Sequence, residues 1–175
     1  MENERYLFLD FDGVLNTMEY QTALQWKGVP RMDAYGSLFD PCAVENLSFI
    51  IEHTAAKIVI SSSWRFDGIK RMREMWVARG LPGEIYGVTP ELNEVRFNSI
   101  QDDRNSISVI PNGTRGLEIN EWLRTNTNNY NIDYSYAIID DFDDFISSQM
   151  PHVVLTEPET GLTKELAAKT IALLL

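Results

Sequence analysis

Asp10 and Asp12 stand one residue apart at the polar end of the apolar run Tyr6-Leu7-Phe8-Leu9, with Gly13 directly after them. A carboxylate can attack as a nucleophile, move a proton, or ligate a hard cation. Residues i and i+2 of a strand point the same way, so the two like charges would crowd each other unless the chain turns or a cation joins them. Gly13 provides the place to turn. Two further stretches carry chemistry: Ser61-Ser62-Ser63-Trp64-Arg65, with hydroxyls and a guanidinium, and the acidic Asp140-Asp141, followed by Asp143 and Asp144.

Carboxylates without a His or Cys cluster favour Mg²⁺, which takes oxygen ligands and keeps waters. Asp10, Asp12, Asp140 and Asp141 are the candidate ligands, while His53 and His152, the two histidines of the chain, lie away from them in the sequence pattern. Beside such a cation one carboxylate can attack phosphorus, and a second can protonate the leaving oxygen and later activate water. A serine hydroxyl and a guanidinium would hold the phosphoryl oxygens as charge moves. The plainer readings are a solvated strand end at Asp10 and Asp12, a helix-capping turn at Ser61 to Ser63, a structural ion pair for Arg65, and core packing for Trp64, Trp76 and Trp122.

The elements that must bring these residues together follow from periodicity. After the first strand, residues 17–39 show no clean period and read as a loop or small flap. Asp40-Pro41 resembles an N-cap followed by an N1 proline, and Val44, Leu47 and Ile51 share one helical face, predicting a helix to about His53. The run Ala56 to Ile60 is a buried parallel strand by its β-branched, apolar character. Asp67 is placed to cap a helix carrying Ile69, Met72 and Trp76, which Gly80 ends. A weaker strand spans 84–88, residues 94–114 form a second flap, and a short helix runs from Arg115 through Trp122 and Leu123. Strands at 136–139 and 152–155 and a helix over 163–174 complete the order.

Alternating strands and helices predict one α/β domain: a Rossmann-like, three-layer fold with a mostly parallel five-stranded sheet and a small or absent cap. Ligands of such sheets bind beyond the carboxyl ends of the strands, where Asp10 and Asp12, Ser61 to Arg65, and Asp140 and Asp141 all fall. The 175 residues, 44% hydrophobic, suffice for a core without staples, and no run reaches membrane-spanning length. The first residues lack a signal-peptide pattern, so a cytoplasmic location is expected. The single cysteine, Cys42, is expected to pack rather than to react. A net charge of -11 argues against broad attraction to nucleic-acid backbone, though a local basic pocket can still take phosphate.

In order, these stretches resemble the four motifs of the haloacid dehalogenase superfamily of aspartyl phosphotransferases and phosphatases. The resemblance implies Asp10 as nucleophile, Asp12 as general acid/base with its carbonyl on the metal, and Ser61 as phosphate ligand, with Ser62 a close competitor and Arg65 a further phosphate contact. It implies a basic third motif. No lysine occurs between Lys70 and Lys164, so arginine must serve: Arg115 fits best, with Arg96 and Arg104 as alternatives. Asp140-Asp141 resembles the fourth motif, which completes the Mg²⁺ site; either aspartate can be the ligand, with Asp144 as an outer partner. Ser61 to Arg65, Gly87-Val88-Thr89-Pro90, Glu118-Ile119, Trp122-Leu123 and Glu159-Thr160-Gly161-Leu162-Thr163 together resemble the small domain of Swiss Army knife RNA-repair proteins. The expected function is Mg²⁺-dependent hydrolysis of phosphomonoesters through a phosphoaspartate, on substrates that include nucleotide or nucleic-acid end phosphates. The alternative is a noncatalytic phosphate or Mg²⁺ sensor.

Overall fold

The computed structural model describes residues 3–91, 114–127 and 133–175. Five parallel strands form the central sheet: β1 (Glu4–Leu9), β4 (Lys57–Ile60), β5 (Ile85–Val88), β6 (Tyr134–Asp140) and β7 (Val153–Leu155), in the spatial order β5-β4-β1-β6-β7. β1 is therefore central, with Leu9 opposite both Ile60 and Ile139. The reversal of strand order at β1 makes its carboxyl end the switch point where such sheets open a crevice. The expected Rossmann-like α/β domain is present, and the described sheet is wholly parallel.

Side-chain alternation along the strands divides the core in two. Leu7 and Leu9, Ile58 and Ile60, and Ala137 and Ile139 face α2 (Pro41–Thr54), α3 (Ile69–Ala78) and α5 (Lys164–Leu174), burying Leu47, Ile50, Met72, Met75, Trp76 and Leu174. Tyr6, Phe8, Val59, Ile138 and Val153 face α4 (Thr114–Asn126) through Ile119, Trp122 and Leu123. Phe8 and Tyr6 meet Trp122 edge to face at 5.4 and 5.0 Å, a geometry that the ring quadrupoles favour.

Three expectations are corrected. Residues 17–39 are not a loop: they hold α1 (Met18–Trp26) and the short hairpin β2 (Met32–Asp33) and β3 (Gly36–Ser37). α1 buries Leu24 and leaves Met18 and Trp26 exposed, so it carries little apolar period to detect. Asp67 does not cap α3. Gly68 takes that position, and Asp67 closes a 3-10 turn over Ser63–Asp67 and pairs with Arg71 at 3.3 Å. Cys42 is exposed, because Ala43 beside it takes the inward face of α2. Of the expected second flap, all but Thr114, which opens α4, lies outside the described residues.

Candidate active site

β1 ends at Leu9, and the backbone then turns at once. Val14, Leu15 and Asn16 all donate their N–H groups to the Phe11 carbonyl, and Gly13 sits at φ +70°. A side chain at Gly13 would collide with the Asp141 carboxylate, so this close approach as well as the backbone angle requires glycine. The turn is sewn to the rest of the domain. Thr156 Oγ1 donates to Gly13 O at 2.8 Å, Leu162 N to Val14 O at 2.9 Å, and Asp40 N to Leu15 O at 2.7 Å.

The turn separates the two aspartates. Asp10 is 4% exposed and joins Asp140 and Asp141, one carboxylate oxygen of each lying within 4.8 Å of the others. Asp12 is exposed and its carboxylate lies outside that trio. Its Oδ1 accepts from Asn16 Nδ2 at 2.7 Å and its Oδ2 from Trp64 Nε1 at 2.9 Å. The resemblance gives Asp12 a metal role through its backbone carbonyl; its side chain, turned by the bend after β1, faces Asn16 and Trp64 and not the trio.

Asp140 ends β6 with Oδ1 accepting from Phe142 N at 2.8 Å and Oδ2 facing Arg115 Nη1 at 3.1 Å. Arg115, on the first turn of α4, also lies 3.3 Å from Asp10 Oδ1 and donates to Ser61 O. Burial acts to lower the Arg115 guanidinium pKa, but the charges of Asp10 and Asp140 outweigh it and hold it above the usual value. Burial, then the charge of Asp10, pushes Asp140 up to about 7, and the same two causes raise Asp141. Three carboxylates thus converge on one positive group, an arrangement short of cationic charge.

Ser61 follows β4. It is 1% exposed, and its Oγ is buried with no hydrogen-bond partner among the described residues, which is costly unless something else engages it. Ser62 Oγ is spent otherwise, accepting from Trp64 N at 3.4 Å as the cap of the 3-10 turn. Arg65 does not face the crevice as a free phosphate contact. It is buried, donates to Ser62 O, Thr89 O and Pro90 O, and pairs with Glu118 Oε2 at 2.6 Å. Arg65 instead fixes the loop that carries Ser61 against β5 and α4. Glu118, Asn16 and the Trp64 indole are contributors that pattern reading missed; Glu118 has one sequence signal, its i+3 spacing from Arg115, which sets both on neighbouring parts of one helix face. Asp144 holds Gly116 N through its backbone carbonyl, steadying the first turn of α4, and Asp143 is exposed. His152 stacks on Tyr136 at 4.2 Å and His53 lies against Phe49, both away from the acidic trio.

The donor set fits a hard divalent cation: Asp10, Asp140 and Asp141 offer oxygen alone, in the number and proximity such an ion uses. Fold and crevice together define a Rossmann-like α/β protein whose acidic centre lies at the switch point of its sheet. Residues 6–167 match the family described as the HAD domain in Swiss Army Knife RNA repair proteins, and the chain belongs to that family. No curated protein and no solved structure matches it. The family suggests a phosphatase-type function.

Proposed function

We propose that the protein is a Mg²⁺-dependent phosphomonoester hydrolase that works through a phosphoaspartate on Asp10. The observation that carries this reading is the convergence of Asp10, Asp140 and Asp141 within 4.8 Å of one another, with the Arg115 guanidinium against the first two. A buried nucleophile among like charges needs positive charge beside it before an anionic phosphate can approach. Asp10, Asp140 and Asp141 would hold Mg²⁺, which supplies that charge and polarises the phosphoryl oxygens.

An Asp10 oxygen bonds to phosphorus as the ester P–O bond breaks, and the leaving oxygen takes the proton of the Asp12 carboxyl. Water then bonds to the same phosphorus while Asp12 takes its proton. The Asp10–phosphorus bond breaks, releasing inorganic phosphate and restoring both side chains. The unpartnered Ser61 hydroxyl is suited to donate to a phosphoryl oxygen, and Arg115 to offset developing negative charge. The family match supports nucleotide or nucleic-acid end phosphates as substrates, with binding limited to the chain end because the net charge of -11 disfavours the backbone.

The test is phosphate release with Mg²⁺ or EDTA from an aryl phosphate, mononucleotides and 5′- or 3′-phosphorylated RNA and DNA. Release is expected with Mg²⁺ and lost with EDTA and in Asp10→Asn, whose circular dichroism should match the wild type. Equal turnover by Asp10→Asn would sink the mechanism; a stable phosphoaspartate without release would favour the sensor reading.

A further inference from the structure

Trp64 lies outside the acidic trio and is the kind of residue that ordinarily fills a core, yet its indole N–H is aimed at Asp12 Oδ2, 2.9 Å away. The indole nitrogen is a donor only, and it meets a carboxylate that Asn16 Nδ2 holds by the other oxygen at 2.7 Å. Two neutral donors on opposite oxygens fix the plane of the carboxylate and leave further lone pairs on each oxygen for a proton. We infer that Trp64 is a positioning residue for the proton transfers of Asp12; the inference rests on the phosphatase reading above.

The indole is itself immobilised from several sides. Phe11 meets it edge to face at 5.5 Å, Phe39 lies at 5.6 Å, and the Arg79 guanidinium sits 5.7 Å from the ring centre. On the hairpin, Gly36 presses backbone against it: a Cβ there would stand 2.9 Å from the indole Cη2. Arg79 ties that hairpin to α3 through two hydrogen bonds to Asp33, at 2.8 and 2.9 Å, and a third to Gly36 O. The insertion after β1 therefore braces the ring that braces the acid. Its exposed remainder does not need to touch substrate to affect turnover.

Trp64→Phe keeps an aromatic ring among Phe11, Phe39 and Gly36 and removes the N–H donor along with part of the ring's packing. An acid held in place matters most where the leaving oxygen must be protonated. For an alkyl phosphate, kcat should fall about tenfold, the cost of one hydrogen bond to a charged group, with KM unchanged. For p-nitrophenyl phosphate, whose leaving group departs as an anion, the loss should stay within about twofold. Gly36→Ala, which crowds the ring and strains the backbone at φ +125° without deleting a functional group, should bias the two substrates in the same direction. Equal losses on both substrates, or a rise in KM alone, would mean that Trp64 only packs and would overturn the inference.

A second measurement separates this inference from the phosphatase reading. The indole Nε1–H resonance, assigned by its absence in Trp64→Phe, should shift and exchange faster with solvent in Asp12→Ala. A wild-type protein inactive on both phosphates would end the phosphatase reading while that shift upheld the clamp. A resonance that stays in place would overturn the clamp whatever the activity.

Discussion

Two arginines with buried carboxylate partners do opposite work in this molecule. Arg65 pairs with Glu118 at 2.6 Å, and its remaining donors meet the carbonyls of Ser62, Thr89 and Pro90. Arg115 faces two carboxylates and one carbonyl, with the unpartnered Ser61 hydroxyl on the loop it contacts. Burial lowers the Arg65 guanidinium pKa against the pull of Glu118, whereas around Arg115 the negative charge wins over burial. Charge type is the same, and Arg65 is the more deeply buried of the two; the difference that matters is saturation. Where donors and acceptors balance, the pair holds loops together. Where carboxylates outnumber the cation, the imbalance favours a further positive group, as the proposed Mg²⁺ role requires.

Substitution should separate the two regions. Arg115→Met should reduce phosphate release about 1000-fold, roughly 4 kcal/mol in the barrier, by removing the charge that faces the reacting centre. It also leaves the buried Asp10 and Asp140 without their cation and so costs stability, and turnover is therefore compared on folded, Mg²⁺-loaded protein; near-normal turnover would reverse the role assigned here. Arg65→Met should act on stability alone, costing about 3 kcal/mol of unfolding free energy because Glu118 loses a buried partner. Chemical denaturation reads this directly. The double variant with Glu118→Met should recover much of the loss, as apolar replacement of a whole buried pair often does.

The charge imbalance also predicts a ligand effect. Mg²⁺ at a hundredfold excess over its dissociation constant should stabilise the protein by about 2.7 kcal/mol, visible as a rise in melting temperature that EDTA removes. Asp141→Asn should abolish that rise and Arg65→Met should leave it intact. An equal rise in wild type and Asp141→Asn would dissociate the acidic trio from the metal.

The smallest effect belongs to a third arginine pair, at the surface. Hydrogen bonding from Arg79 holds the Asp33 carboxyl below its ordinary value. A depressed carboxylate contributes stability above its unfolded pKa, and that contribution disappears as pH falls through the folded value. Asp33→Asn should therefore cost about 0.5 kcal/mol at pH 6, the scale of an exposed pair, and progressively less as the pH falls below the ordinary carboxylate range. A cost that does not decline with pH would show that the side chain acts through packing and not through charge.

The strands were legible because burial on both faces demands continuous apolar runs, and three of the five end in or beside the residues that carry chemistry. The positions of Asp10, Ser61 and Asp140 at one edge followed from that alone, whereas Arg115, on the first turn of α4, came from the resemblance to a basic third motif. What could not be read was saturation. Ser61 and Ser62 are the same residue type side by side, and only the turn conformation decides that one caps Trp64 while the other keeps an open hydroxyl. Arg65 looked as suitable for phosphate as Arg115 because Glu118, 53 positions away, becomes its partner only after folding. α1 was missed for a related reason: it touches the core at Leu24, so its fold-level role left almost no imprint on composition.

The central place of β1 has a consequence for how the chain comes into being. Its neighbours are β4, some fifty residues later, and β6, whose Ile139 lies opposite Leu9. On a ribosome Asp10 therefore emerges early and waits, with one flank of its strand open, until residues far downstream have been made. Pairings of such sequence separation form late and slowly. The acidic centre is thus among the last features of the domain to exist, and a nascent chain that has not yet reached Asp140 carries Asp10 but cannot use it.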